Sequence, residues 1–344
     1  MKFLIPPLSL LLLTACVGAQ PEPEADLNTF GLDSLPDEFS QRTFDQFSAS
    51  AWLGSFKSAD LNFLVEKAIK ANRTLAQEAA AVRLAEQNVR ISDSTLWPNL
   101  GLSLSTQRDD TGMGSATQSG LSLTAGYEVD LWGRLNAVQQ QSQIDLARQK
   151  ASYREAERTL VRDVVNAGFD ASSATQLLGL LNQRFTNLTE SLDVIERGYR
   201  SGLNDALDVY LSRNTLELER AGIANQQQIH FESLTRLELL LGDYPAAKLA
   251  VSANLQSLHL DPIAAGIPAN LLSRRSDIQQ AWLELLSADA GVAIAHRNRF
   301  PALNLSGSLS DSSQELDELL DGGSLMWRVA ASLIQPLFQG GRLA

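Results

Sequence analysis

Hydrophobic and polar positions along the chain follow one succession of periods, and the succession occurs twice. From Ala59 the apolar residues Leu61, Leu64, Ala68 and Leu75 recur at helical spacing. The step Trp97-Pro98 ends that helix, because proline pushes the residue before it out of the helical region. Strict alternation begins at once, with Leu100, Leu102 and Leu104 set between Gly101, Ser103 and Ser105, which is the period of a strand. A polar, glycine-bearing loop is predicted from Arg108 to Ser119, and a second strand returns from Leu121 to Leu131. The second copy opens at Pro268 with Leu271, Leu272, Ile278 and Trp282 at helical spacing. It then passes Phe300-Pro301, alternates from Leu303, crosses an acidic loop (Asp311 to Ser324) and returns from Trp327 to Ile334. Both copies close alike, in Leu131-Trp132-Gly133-Arg134-Leu135 and in Leu337-Phe338-Gln339-Gly340-Gly341-Arg342-Leu343. The predicted hairpins are 99–131 and 302–337.

The predicted strands are about ten residues long, alternate apolar residues with Ser, Thr or Gly, and carry aromatics at their ends, as strands of a transmembrane barrel do. Two soluble hairpins would show the same alternation, but the aromatic flanks Trp97, Tyr127, Trp132, Phe300, Trp327 and Phe338 and the N-terminal signal favour the membrane. Transmembrane barrels start at about eight strands. Four strands per chain therefore require a barrel shared between subunits.

Between the two copies the texture changes. Leu135 to Tyr199 contains no proline, and glycine only at Gly168, Gly179 and Gly198. A continuous helix of that length would run roughly 97 Å at about 1.5 Å per residue. Leu181, Phe185, Leu188, Leu192, Ile195 and Tyr199 step by fours and threes, the spacing of a coiled-coil seam. Ser201-Gly202-Leu203 is the predicted turn, with glycine at the left-handed position. A returning helix from about Asp205 to Leu241 is expected to continue the seam through Leu207, Leu211, Leu218 and Ala221, with Asn214 and Asn225 in register. An irregular connector over 244–267 joins it to the second copy, 268–344.

The N-terminus supplies an address. Lys2 precedes an apolar run from Phe3 to Leu13, too short for a spanning helix but suited to a signal peptide. It ends in Leu13-Thr14-Ala15-Cys16, which resembles the bacterial lipobox, so cleavage after residue 15 and lipidation of Cys16 by S-diacylglycerol and an N-acyl chain are expected. Val17, in place of an aspartate, points to the outer membrane. Residues 16–50, rich in Pro and Glu and without a sustained period, are expected to form an extended tether.

Composition removes several alternatives. With 28 Lys and Arg against 40 Asp and Glu, the net charge of −12 leaves no basic surplus for nucleic acid. The single cysteine excludes an internal disulfide, and His230, His259 and His296 show no metal-ligand spacing. Ser103 and Ser122 fall in segments that approach a nucleophile elbow, but the second glycine is missing and both lie inside alternating strands. No phosphate-cradling loop occurs. The sequence therefore predicts neither an enzyme nor a cofactor.

The repeat, the lipobox and the long hairpin together resemble the outer-membrane efflux duct family, which is TolC-like, and its lipoprotein (OprM- and NodT-like) branch. The resemblance runs through essentially the whole chain. It rests on Trp52, Phe56 and Leu61, on Gly198-Tyr199-Arg200-Ser201-Gly202-Leu203 through Leu207-Asp208-Val209, on Pro268 through Arg274-Arg275-Ser276-Asp277-Ile278, and on the Pro336 to Leu343 close. Ser276 stands where the branch usually has proline, which predicts a less rigid helix start there. The resemblance implies an α+β membrane protein: a homotrimer with a twelve-stranded outer-membrane barrel, continued by a periplasmic coiled-coil tunnel with a small mixed equatorial region. It implies a periplasmic adaptor and an inner-membrane pump as partners, and outer-membrane lipid as surroundings. It also implies a second helical hairpin beyond Ala344, so the chain resembles a truncated record of a longer protein.

By the same resemblance Ser201, Gly202 and Leu203 form the adaptor-docking tip and Asp208 belongs to the links that close the periplasmic mouth. Asp208 also lies near a helix start, where a carboxylate favours the N-terminal dipole by itself. Trp97, Trp132, Phe300 and Phe338 are the expected interface aromatics of the barrel. The expected function is passive exit of drugs or other small toxic solutes. A polypeptide secretion duct and a structural lipoprotein bridging membrane and cell wall are the alternatives, and the strand hairpins weigh against the last.

Overall fold

A computed structural model describes residues 58–110, 112, 114–251, 275–315 and 325–343. Cys16 and the 16–50 tether, Trp52, Phe56, most of the connector and the opening of the second copy through Arg274 lie outside the described residues. Among those described, the elements run α1 (Ala59–Ala71), α2 (Arg73–Ser94), β1 (Asn99–Asp110), β2 (Ser115–Val129), α3 (Arg134–Arg200), α4 (Ala206–Leu240), α5 (Ser276–Arg297), β3 (Ala302–Ser313) and β4 (Met326–Ile334). They divide into two compact units, 85–147 with 282–343 and 58–84 with 148–281. No described helix is long and apolar enough to cross a membrane.

The first unit holds an antiparallel sheet in the order β1-β2-β3-β4. Its register keeps one face apolar from strand to strand, because side chains alternate with period two. Leu102 opposes Leu123, Leu123 opposes Leu309, Leu305 opposes Ala331, and Leu309 opposes Trp327. The other face is lined by Ser, Thr and Gly, and hydroxyls pair across it, as Ser103 with Ser122 at 2.8 Å. Ser122 thus belongs to a strand ladder rather than to a nucleophile turn. Both hairpin loops begin later than the sequence predicts. Strand pairing continues to Asp110–Ser115 in the first, and β3 runs to Ser313 in the second. Polar side chains do not end an exposed strand, so composition alone misplaces the loop. The first returning strand ends early, at Val129 rather than at Leu131, and the second ends at Ile334 as its alternation predicts, short of the 337 bound of the hairpin. Pro336 lacks the N–H that further pairing needs.

The second unit is helical. Its core joins Leu64, Val65 and Ala68 of α1, Leu75 of α2, Leu160, Val164, Val165, Ala167 and Ala171 of α3, and Leu234 and Leu237 of α4. The first short helix of the sequence reading is two helices, broken at Asn72. That residue serves three helix ends at once. Its backbone N–H donates to Ala68 O (2.8 Å), its Oδ1 accepts from Leu75 N (2.9 Å), and its Nδ2 donates to Leu240 O (2.9 Å). Local pattern cannot reveal such a break, because one of its three partners comes from α4.

The long helices fall where the spacing places them, within a residue at each end. On α3 the inward stripe is the predicted one as far as Ile195: Leu181, Phe185, Leu188, Leu192 and Ile195 are half-buried, whereas the last predicted member, Tyr199, is exposed. On α4 the predicted seam is overturned. Leu207, Leu211 and Leu218 are 61%, 55% and 65% exposed, and the inward positions are Val209, Leu216, Glu219 and Gln226. These too are spaced by sevens and threes, but two residues out of phase with the leucines. Polar side chains occupy part of this seam: Gln226 Nε2 donates to Ala174 O at 3.2 Å, and Glu219 Oε2 lies 3.5 Å from Arg184 while its Oε1 is buried without a hydrogen-bond partner.

Candidate functional sites: the hairpin tip and the strand-to-helix junction

The tip is built by a helix stop and a helix start. Leu203 N donates to Gly198 O (2.8 Å) and Gly202 N to Tyr199 O (3.1 Å), the paired bonds that end a helix on a left-handed residue. Gly202 has φ +74°, which costs a residue with Cβ about 1–2 kcal/mol, and nothing lies within 4 Å of where its Cβ would stand. Asn204 folds under the turn, with Nδ2 donating to Ile195 O at 3.1 Å. A Cβ on Gly198 would meet that same nitrogen at 2.5 Å, so any other residue there would displace the Asn204 amide from under the turn. The result is a rigid turn that presents Ser201, Gly202 and Leu203 outward; Leu203 is 82% exposed.

Asp208 sits in the first turn of α4 as half of a capping box. Asp205 Oδ1 accepts from Asp208 N (3.0 Å), and Asp208 Oδ2 accepts from Asp205 N (3.4 Å). Its local task is thus to satisfy helix-start donors. One turn further in, Glu196 of α3 receives Arg213 of α4 at 2.7 Å and Arg200 at 3.5 Å, beside a cleft of about 230 Å³ that Tyr199 and Tyr210 also line. This cross-helix clamp was not predicted. Glu196 and Arg213 are seventeen residues apart in sequence and no local pattern links them, whereas Arg200 stands at i+4 on the same helix as Glu196.

At the far end of α4, Glu238 is buried and accepts four backbone N–H groups, from Ala246, Ala247, Lys248 and Leu249, at 2.6 to 3.0 Å. Burial opposes its charge, but those four donors outweigh it and hold the carboxyl below the usual range. One carboxylate therefore folds the start of the connector back onto the helix end.

In the first unit, β2 passes to α3 through a junction of polar caps and aromatics. Asp130 accepts from Leu135 N (3.0 Å) and Asn136 N (2.9 Å), capping α3, while Arg134 forks onto Glu128 at 2.7 Å. Trp132 stacks on Phe300 with ring centroids 5.1 Å apart, and its Nε1 donates to Pro301 O at 2.8 Å. Arg297 Nη1 donates to Gly133 O at 2.9 Å. Two of the four predicted aromatics thus meet. The other two, Trp97 and Phe338, are 74% and 88% exposed. Among the described residues no cluster of His, Cys, Asp and Glu could hold a metal ion.

Residues 64–243 and 267–344 match the model of a family described as outer membrane efflux protein. Among curated proteins, the cation efflux system protein CusC of Escherichia coli O6:H1 is 27% identical over 301 residues, covering 87% of this chain and 65% of the relative. The solvent efflux pump outer membrane protein SrpC of Pseudomonas putida is 30% identical over 298 residues, covering 84% and 63%. The chain spans just under two thirds of the length of these relatives. Of solved structures, a membrane protein from Pseudomonas aeruginosa superposes with a TM-score of 0.77 at 28% identity, covering 90% of this chain and 73% of that one.

Proposed function

Because the chain belongs to the outer membrane efflux protein family, we propose that it forms the outer-membrane exit duct of a tripartite efflux system. Three copies close a twelve-stranded barrel, and drugs or other small toxic solutes pass through it without energy input from the duct itself. The observation that carries this reading is the two-faced sheet: an apolar face of Leu, Val and Trp continuous over four strands, backed by a face of Ser, Thr and Gly. Such a sheet suits lipid on one side and a wet lumen on the other. The two relatives, both named as efflux proteins, agree with it.

The remaining assignments follow the same reading. Cys16 carries the lipid anchor in the outer membrane. Ser201, Gly202 and Leu203 dock a periplasmic adaptor that couples the duct to an inner-membrane pump. Asp208 adds to the polar links that close the periplasmic mouth. Trp97, Trp132, Phe300 and Phe338 mark the membrane interface.

The test is a Gly202→Asp variant expressed from the protein's own gene. Aspartate tolerates the left-handed region better than most residues, and the site has room for it. Export of small toxic solutes is expected to vanish while trimer and surface level stay unchanged. Full export in that variant would remove the docking assignment. For the anchor, Cys16→Ala is expected to abolish palmitate labelling.

A further inference from the structure

The geometry points to a binding site for a small aromatic anion, a carboxylate or sulfonate carried on one or two rings, in the cleft between the feet of β2, β3 and β4, the start of α3 and the end of α5. The inference rests on the duct reading, because it takes the Ser, Thr and Gly face of the sheet as the lumen. It adds a class of solute that lodges there in transit.

The cleft has a volume of about 250 Å³. A cavity of about 150 Å³ is enough for benzene, so one or two rings fit. It lies at the foot of the polar face. Strand alternation sets Glu128 in line with Ser122 and Thr124, Ala302 with Asn304 and Ser306, and Ile334 with Ser332. Glu128, Ala302 and Ile334 all line the cleft. Its apolar wall consists of Trp132, Phe300, Pro301, Ile334 and Pro336. The two rings of that wall are already fixed. They stack at 5.1 Å, the indole Nε1 donates to Pro301 O, and His296 tilts against Phe300 with centroids 5.5 Å apart. A flat ligand therefore finds a wall with little side-chain freedom left to lose.

Charge decides the class of ligand. Four ionised side chains line the cleft: Glu128, Asp130, Arg134 and Arg297. Three of them are answered within the chain. Arg134 forks onto both oxygens of Glu128, and Asp130 accepts from Leu135 N, Asn136 N and Asn136 Nδ2. Arg297 is different. Among the described residues it forms no ion pair, and its guanidinium donates Nη1 to a neutral carbonyl, Gly133 O, at 2.9 Å. Its place in the last turn of α5 favours a cation there, which is how the charge is tolerated without a carboxylate. The remaining N–H donors of the guanidinium match the paired oxygens of a carboxylate or sulfonate. Arg297 is half-buried, so water competes less for those donors than at an open surface. Ring faces and prolines on one side and an unanswered cation on the other are the complement of an aromatic anion. A cationic ring would meet the same positive charge, and both carboxylates are already engaged.

Equilibrium dialysis of naphthoate against the whole protein in detergent, with protein-free micelles as the blank, tests the site. One saturable site per chain is expected. Naphthol, its neutral relative, is expected to bind more weakly. Arg297→Gln is expected to weaken naphthoate by at least about tenfold, as loss of a charge-assisted hydrogen bond does, and Arg297→Lys to restore much of the affinity. Ile334→Trp is expected to fill the cleft and abolish binding, with light scattering showing each variant assembled as the wild type is. Equal affinity for naphthoate and naphthol, or an affinity unmoved by Arg297→Gln, overturns the anion. An affinity unmoved by Ile334→Trp overturns the cleft. Uptake that never exceeds the micelle blank overturns the site, while stepwise current from the same protein in a bilayer keeps the duct. Saturable binding by a protein that inserts and passes no stepwise current overturns the role in transit.

Discussion

The sheet and the helical hairpin both leave apolar surface uncovered, and they do so differently. In the sheet the uncovered residues form a band: every strand contributes Leu, Val, Ala or an aromatic to one face, and no polar residue interrupts it between Leu100 and Leu104 or between Leu303 and Leu309. In the hairpin they form a line. α4 carries two stripes at heptad spacing, two residues out of phase, one packed on α3 and one exposed through Leu207, Leu211 and Leu218. A band suits a solvent such as lipid, which needs no register. A narrow line with Asn214 and Asn225 in step suits another helix, which does. The uncovered surface therefore tells the kind of neighbour as well as its presence.

Neighbouring positions on α4 sharpen that contrast most. Leu216 is 8% exposed, and Leu216→Ala is expected to destabilise the protein by about 2–5 kcal/mol. Leu218→Ala, two residues on, is expected to stay within about 0.5 kcal/mol of wild type for the isolated chain and to weaken only its assembly. Denaturant unfolding and light scattering on both variants check this; equal losses of chain stability would erase the distinction between the stripes.

The Glu238 clamp comes next. Glu238→Gln keeps the shape but substitutes an amide donor for one of the accepting oxygens, with an expected loss of about 1–3 kcal/mol. Because the folded pKa is lowered, the stabilisation is complete at neutral pH and is lost as pH falls below the ordinary glutamate value through the depressed one. The difference between wild type and variant, followed by unfolding against pH, is expected to shrink in acid; a difference independent of pH would contradict the charged clamp.

At the junction, Trp132→Phe retains the ring but removes the bond to Pro301 O, worth about 0.5–1.5 kcal/mol. Thermal unfolding is expected to show a correspondingly small drop, and no change would mean that the bond is not made. A smaller loss of stability than at Trp132 belongs to Asp208→Ala, about 0.3–1 kcal/mol from the lost dipole interaction. Asp208→Glu preserves the capping box, since glutamate is the usual residue at that position. If Asp208 also helps close the mouth, both variants are expected to raise the entry of large antibiotics such as vancomycin. Leakage from neither would leave it a cap alone.

Legibility in the sequence follows from how far each signal reaches. The bounds of α3 and α4 and the glycine at the tip are local properties, and the structure agrees with them within a residue or with φ +74° at Gly202. The seam on α4 differs from the one its leucines predict, for a physical reason. Hydrophobicity selects the leucine stripe, but the helix uses its leucines outward and buries Glu219 and Gln226 inward, where Arg184 and a carbonyl receive them. Asn72, Glu196 and Glu238 are not legible in the sequence because each has a decisive partner on another helix or loop: Leu240, Arg213 and the 246–249 backbone. Strand pairing past Arg108 and Asp311 is not legible because backbone ladders do not require apolar side chains.

The duct itself is tested most directly by current. Purified protein, expressed from its own gene and reconstituted in a planar lipid bilayer, is expected to give stepwise openings of uniform size at zero energy input. A folded, trimeric protein that inserts into the bilayer and passes no stepwise current would contradict the duct.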